Sequence, residues 1–268
     1  MRTTTLKPGR GISAAIGVLL MMTGCAGPSI TVPSMNEASL VPATATGSST
    51  VPLSGDLPVL REGVITPDTY VILPPEDGWG PKCIDGLDCP APRPHDRSMQ
   101  LEITIPAGWE SAFDSTVIVP ASGTTEGPNG SGLVIGWNPV GLHSDPCHPV
   151  QGHFTPDILP GPSVDDLVSA VVAHPTLEVR EPVDVQIDRY SGQFFKLIVP
   201  SDITDCGDWR PFEPGIYAQG PDNIWNVWVI DVDRLRMLLL VQEFQQTPEQ
   251  DSAELRAMVE SIRFVPSP

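Results

Sequence analysis

Residues 223–244 read NIWNVWVIDVDRLRMLLLVQEF. Two runs of β-branched, aromatic and aliphatic residues flank Asp233-Arg234-Leu235, a break short enough for a hairpin. This pair constrains the fold more than any other stretch, because whatever else forms must pack against it. The same strand pattern recurs at TYVIL (69–73), QLEITI (100–105), STVIVP (115–120), SGLVIGW (131–137), VDVQI (183–187) and GQFFKLIV (192–199). Two segments have helical spacing instead. In SVDDLVSAVVAH (163–174), Ser163 is an N-cap with Asp166 three places on, a capping box. Val164, Leu167, Val168, Val171 and Val172 form its apolar stripe, and Pro175 stops it. In TPEQDSAELRAMVESI (247–262), Thr247 is expected to cap, Pro248 to open the first turn and Gln250 to complete a second box. Leu255, Met258, Val259 and Ile262 make its buried face. The expected class is α+β, a mostly antiparallel twisted sheet with two packed helices, over residues 61–268.

The chain before residue 61 has a different character. Residues 26–60 are rich in Pro, Ser, Thr, Ala and Gly, with little charge and no aromatic residue. Such a segment buries too little apolar area to offset its ordering entropy, so 25–60 is expected to be a disordered tether. Further upstream, Arg2, Lys7 and Arg10 precede an apolar run from Gly11 to Met22. Twelve residues rise about 18 Å as a helix, short of a hydrocarbon core of roughly 30 Å. Residues 1–24 therefore predict a targeting segment rather than a membrane span. Met22-Thr23-Gly24-Cys25 resembles the bacterial lipoprotein signal, the lipobox, at its last three places; the usual aliphatic first residue is Met22 here. The resemblance implies that Cys25 carries the lipid, becomes the mature N-terminus and holds the protein on the extracytoplasmic face of the cell membrane. One acyl chain such as palmitate binds only marginally, so two or three are needed for stable anchoring.

Charge narrows the partners. The chain has 15 basic and 33 acidic residues, net −18. Three basic residues and no acidic ones lie in 1–24, leaving twelve against 33, or −21, for the rest. That field repels phosphate backbones and anionic headgroups, which argues against nucleic acid as a partner and makes the lipid the membrane contact. Besides Cys25 there are Cys83, Cys89, Cys147 and Cys206. In an exported chain four cysteines predict two disulfides, with three possible connectivities. Loop closure favours Cys83–Cys89, around the tight turn at Gly86, with Cys147–Cys206 joining distant segments. Zinc ligation by these cysteines is disfavoured, because they lack pairs two to four apart.

Three places offer site chemistry. The stretch HSDPCHPVQGH carries His143, Asp145, His148 and His153, donors that suit zinc and an open-site hydrolytic centre. Its Pro and Gly content makes it a loop, and it matches no helical metal motif; a disulfide-pinned loop with surface histidines is the competing expectation. Asp202, Asp205, Asp208 and Glu213 supply oxygen ligands suited to calcium, without the ordered spacing of a calcium loop. The aromatic group Trp225, Trp228 and Tyr217 is the ligand-binding candidate. Three apart on one strand, Trp225 and Trp228 face opposite sides, so one is expected in the core and the other available to stack on a ligand. No nucleophile elbow, phosphate-binding glycine loop or dinucleotide fingerprint occurs, so no cofactor is implied.

The order strand, helix, strands, helix resembles PsbP-like domains, which include small actinobacterial envelope lipoproteins of the LpqN type. The matching stretches are LEITIPAGW (101–109), the helix at 163–174, the hairpin at 223–244 and a closing helix ending VESIRF (259–264). A closer resemblance is to uncharacterised actinobacterial exported domains, carried by Asp145-Pro146-Cys147-His148, by Ser163 to Leu167 and by Ile230 to Asp233. Pro149 stands where those domains have an aromatic residue, and Arg234 where their hairpin has glycine. These resemblances imply no activity. The expected function is a non-enzymatic binding or accessory lipoprotein of the envelope, acting on a small apolar or glycan-like ligand or on a protein partner. The alternative is a metal-dependent envelope hydrolase built on His143, His148 and His153.

Overall fold

The computed structural model describes residues 57–74, 98–113, 116–121, 123–136, 138–148, 156–213 and 216–267. The expected signal, Cys25, the tether, Cys83, Cys89 and His153 lie outside the described residues.

The strands are β1 (Gly63–Val64), β2 (Asp68–Ile72), β3 (Met99–Ile105), β4 (Trp109–Ala112), β5 (Val117–Pro120), β6 (Ser131–Ile135), β7 (Gly141–Leu142), β8 (Glu178–Ile187), β9 (Tyr190–Ile198), β10 (Phe212–Glu213), β11 (Ile224–Val232), β12 (Leu235–Glu243) and β13 (Arg263–Pro266). The helices are α1 (Val164–Val172) and α2 (Glu249–Ser261). An eight-stranded sheet runs β1-β4-β5-β6-β12-β11-β9-β8, with every neighbouring pair antiparallel. A second sheet of three strands runs β13-β3-β2, and β10 pairs with β7. The α+β expectation with two helices is met in this form.

The hairpin of 224–243 is the centre of the large sheet. Its strands are apolar on both faces because both faces are covered. Leu235, Met237, Leu239 and Val241 point into one core with α2 and the three-stranded sheet. Leu238 and Leu240 point into a second core with α1, β7 and β10. A strand buried on two sides loses the polar alternation of a half-exposed one, which is why MLLLV reads as an unbroken run. The turn is Asp233-Arg234 alone, with φ of 52° and 71°, and Leu235 already belongs to β12. Left-handed φ at both central residues is what the twist of a two-residue hairpin demands. Asp231 Oδ1 accepts the Arg234 N–H at 2.7 Å and supports the turn.

Helix α1 has the expected cap. Ser163 Oγ accepts the Asp166 N–H at 3.1 Å, and Asp166 Oδ2 accepts the Ser163 N–H at 3.1 Å. Val164, Leu167, Val168 and Val171 are buried, but Val172 is half-exposed and drops out of the stripe. Helix α2 departs from expectation at its start. Pro248 is the N-cap and no side chain caps it. The Thr247 hydroxyl donates to Gly130 O at 2.7 Å and accepts the Phe244 N–H at 2.8 Å, while Gln250 reaches forward to Glu254. A long-range bond to Gly130 and local bonds to Phe244 and Glu254 have taken the groups a capping box needs. The end also differs: α2 stops at Ser261, and Phe264, buried against Leu101 of β3, continues as β13 rather than as helix.

The extension of β8 and the short strands β1, β4, β7, β10 and β13 escaped the pattern. β8 begins at Glu178, five residues before the expected start, and the extension was hidden because the register shifts between Arg180 and Val183, at Glu181-Pro182. Proline, lacking an N–H, is tolerated on this outermost strand. β4, WESA, is short and mixed in polarity; its Trp109 is buried and donates Nε1–H to Glu254 Oε2 at 2.7 Å, tying α2 to the sheet. Among the described residues no helix is long and apolar enough to cross a membrane.

Candidate functional site

Where α2 crosses β8, β9, β11 and β12 it leaves a groove of about 290 Å³. Sheet register builds its floor in rows. Trp228 pairs with Phe194 on one side and Leu239 on the other, and Val183 continues the row onto β8. One pleat along, Asn226 pairs with Lys196 and Val241. Residues two apart on a strand share a face, so the aromatic row and the polar row lie side by side. The Phe194 and Trp228 rings are 4.9 Å apart and tilted by 48°. The helix supplies Ser252, Arg256, Val259 and Glu260, which at helical spacing form one wall.

The polar groups are organised within this frame. Asn226 Nδ2 donates to Glu243 Oε2 at 2.8 Å, which draws the carboxylate over the floor. Glu243 and Glu260 give two negative charges, and Lys196 and Arg256 two positive ones. Lys196 is the only lysine among the described residues. The lining is therefore balanced in charge although the chain as a whole is strongly acidic.

The three aromatic candidates separate. Trp228 is partly exposed in the groove. Trp225 faces the other way, as their spacing predicts: it has no exposure, its Nε1–H is donated to Asn223 Oδ1 at 2.6 Å, and it packs on Trp209 and Phe212. A ring enclosed in this way offers no face to a ligand, so Trp225 is a core residue. Tyr217 is half-exposed on the segment before β11 and does not line the groove. Of the groove lining only Trp228 was a sequence candidate; Phe194, Lys196, Asn226 and Glu243 of the sheet and the residues from α2 were missed. Their strand and helix faces were legible, but nothing in the pattern says which sheet row a helix will cross.

The histidine loop does not assemble. His143 is buried, with Nε2 3.3 Å from Glu213 Oε2. Arg210 Nε lies 3.7 Å from the same oxygen. His148 is exposed and pairs with Asp145 Oδ2 at 3.2 Å. Slight burial pulls the Asp145 carboxyl up, but the His148 side chain and the Cys147 and His148 N–H groups outweigh it and hold the carboxyl below its ordinary range. Among the described residues no three His, Cys, Asp or Glu side chains are grouped to hold a metal ion. The calcium candidates are likewise scattered: Asp202 accepts from the Thr204 N–H and hydroxyl, while Glu213 is committed to His143. What the loop does have is the expected disulfide, Cys147–Cys206, with Cα atoms 4.6 Å apart. His174, just past α1, secures the same loop. Its Nδ1 accepts the Thr176 N–H at 3.3 Å, which leaves the proton on Nε2 to be donated to His143 O at 2.8 Å.

The fold and groove define an α+β domain with a mixed-polarity cleft between sheet and helix. No protein-family model matches the chain, and no curated protein matches it either.

Proposed function

We propose that this is a membrane-anchored extracytoplasmic lipoprotein whose α+β domain binds a small ligand in the groove under α2 and catalyses no reaction. The anchor is the lipid on Cys25, and 25–60 is the leash between membrane and domain. The single observation that carries the binding reading is the aromatic floor of Phe194 and Trp228 in a cleft whose rim bears separate polar groups. Ligand sites combine an apolar surface with a few placed polar groups in this manner. Helices on opposite faces of an antiparallel sheet support the PsbP-like resemblance. The acidic charge supports a role that avoids nucleic acid.

Two measurements test the proposal. Labelled palmitate should be incorporated into the wild-type chain and lost in Cys25→Ser, with the protein moving from membrane to soluble fraction. An unlabelled wild-type chain rejects the anchor. Small molecules extracted from the envelope should raise the melting temperature of the protein, and Trp228→Ala should lose at least tenfold in affinity. Binding that survives Trp228→Ala unchanged places the ligand elsewhere.

A further inference from the structure

We infer that the ligand of this groove is a neutral sugar of one or two pyranose rings, an inference that rests on the groove being the binding site. Floor and wall differ in what they leave open. On the floor the polar groups are already engaged: Asn226 Nδ2 donates to Glu243 Oε2 at 2.8 Å, and Lys196 has its own partner. What the floor still offers is apolar, the Trp228 and Phe194 rings. These rings are tilted by 48° rather than stacked flush, and Trp228 keeps part of its surface open to the groove. On the α2 wall the polar groups are open. Ser252, Arg256 and Glu260 follow one another at successive helical turns, and their side chains have no hydrogen-bond or ion-pair partner among the described residues.

The occupant therefore has a flat apolar face and a hydrogen-bonding edge. Its charge follows from the wall. Arg256 and Glu260 carry opposite charges on neighbouring turns, and the lining as a whole balances two charges against two. An anion would satisfy Arg256 and be repelled by Glu260, and a cation the reverse; either leaves one charge in excess inside a covered cleft. A hydroxyl meets no such conflict. It accepts from a guanidinium, donates to a carboxylate and does both with the Ser252 hydroxyl. A hydrocarbon suits the floor alone and would strip water from the wall without replacing its hydrogen bonds. A pyranose joins the two properties: the C–H groups of one ring face lie on an indole, and the hydroxyls project from the ring's edge. A cleft of about 290 Å³, at the lower end of ligand-site volumes, suits one or two rings rather than a long glycan.

The test uses the full chain in a sugar-free detergent with four probes: methyl β-glucoside, methyl β-glucuronide (a carboxylate in place of the primary alcohol), N-acetyl-leucinamide and decanoate. None contains an indole, so intrinsic tryptophan fluorescence and calorimetry both report. Methyl β-glucoside should bind, and its affinity should change less than about twofold between about 0.1 and 1 M salt, because no ion pair is screened. The glucuronide should bind at least about tenfold more weakly. Glu260→Ala and Arg256→Ala should each weaken the glucoside about threefold or more. Both positions are on the exposed side of α2 and remove no core atom, and a melting curve for each shows that it is folded. Glucuronide binding as tight as that of the glucoside overturns the inference, as does glucoside binding that neither helix substitution alters. If decanoate or N-acetyl-leucinamide binds in a Trp228-dependent way and the glucoside does not, the sugar inference falls and the groove reading stands. If no probe binds, both fall.

Discussion

Arg236 shows how much one side chain can organise here. It is buried on β12, its Nε donates to Asn138 Oδ1 at 3.0 Å, and its Nη atoms donate to Pro139 O at 2.7 Å and Gly161 O at 3.2 Å. Asn138 Nδ2 donates back to Arg236 O. Burial pushes the guanidinium down to about 10, with the Asp166 charge opposing, so it is a cation throughout the neutral range. The folded state holds this proton less tightly than the unfolded state does. Its titration therefore makes stability rise with pH only above about 10. The planar fork serves three acceptors from the β6–β7 connection and the approach to α1, and no other side chain has that shape. Arg236→Met should destabilise by about 2–4 kcal/mol, because those acceptors are left buried without donors. Chemical denaturation of the two proteins measures it, and a loss under about 1 kcal/mol would mean that the acceptors find other donors. The role was invisible in the sequence, where Arg236 was only the polar start of a strand. Trp228 was legible because strand periodicity is local; a guanidinium's acceptors come from segments about 75 and 98 residues away.

At the scale of elements, caps and turns divide into those that sequence specifies and those that the tertiary structure claims. The α1 box is specified: Ser163 and Asp166 need only each other. Ser163→Ala should cost about 1 kcal/mol at neutral pH. The Ser163 hydroxyl and N–H hold the Asp166 carboxyl below its ordinary value, and Ser144 does the same for Asp157. For a carboxyl lowered by folding, the stabilisation is present above its unfolded value, near pH 4, and is lost as pH falls toward the folded value. The difference between wild type and Ser163→Ala should therefore shrink below about pH 4 in acid melting curves. A gap independent of pH would show that the carboxylate contributes nothing to the cap. The same two-group logic fails at α2, because Thr247 bonds to Gly130 and Phe244 instead. The β11–β12 turn combines both outcomes. Its position was readable, but Arg234 sits at φ 71°, a conformation that favours glycine. A left-handed residue with a Cβ costs roughly 1–2 kcal/mol, offset in part by the entropy glycine loses on folding. Arg234→Gly should thus stabilise the protein by about 0.5–1 kcal/mol. A lower midpoint in denaturant would show that the Arg234 side chain contributes more than its strain costs.

For the whole described domain, the long-range fastening is the disulfide. Cys147 and Cys206 are separated by 59 residues, and closing such a loop contributes roughly 4 kcal/mol on the chain-entropy account. Reduction or Cys147→Ser should lower the unfolding free energy by about that amount while leaving the groove intact. The bond joins the 143–148 loop to the segment before β10, on the face away from α2. A smaller loss would mean that the Arg210 N–H to Pro146 O bond and the His174 bond already hold the loop. The antiparallel α+β class was readable because apolar periodicity reports burial. The layering was not, since the apolar run of β12 says that two faces are covered and leaves open what covers each.

The central hairpin also fixes a timetable. Synthesis delivers β11 and β12 late, after β6 and β9, the strands that flank them in the sheet. Until residue 243 has emerged, the large sheet can exist only as two separate ladders, β1-β4-β5-β6 and β9-β8, each exposing an edge whose partner does not yet exist. Neither core can close, because both draw on the same missing pair. The nascent polypeptide stays open until the hairpin emerges and then gains both cores almost at once. A chain of that kind remains threadable until its central hairpin has formed.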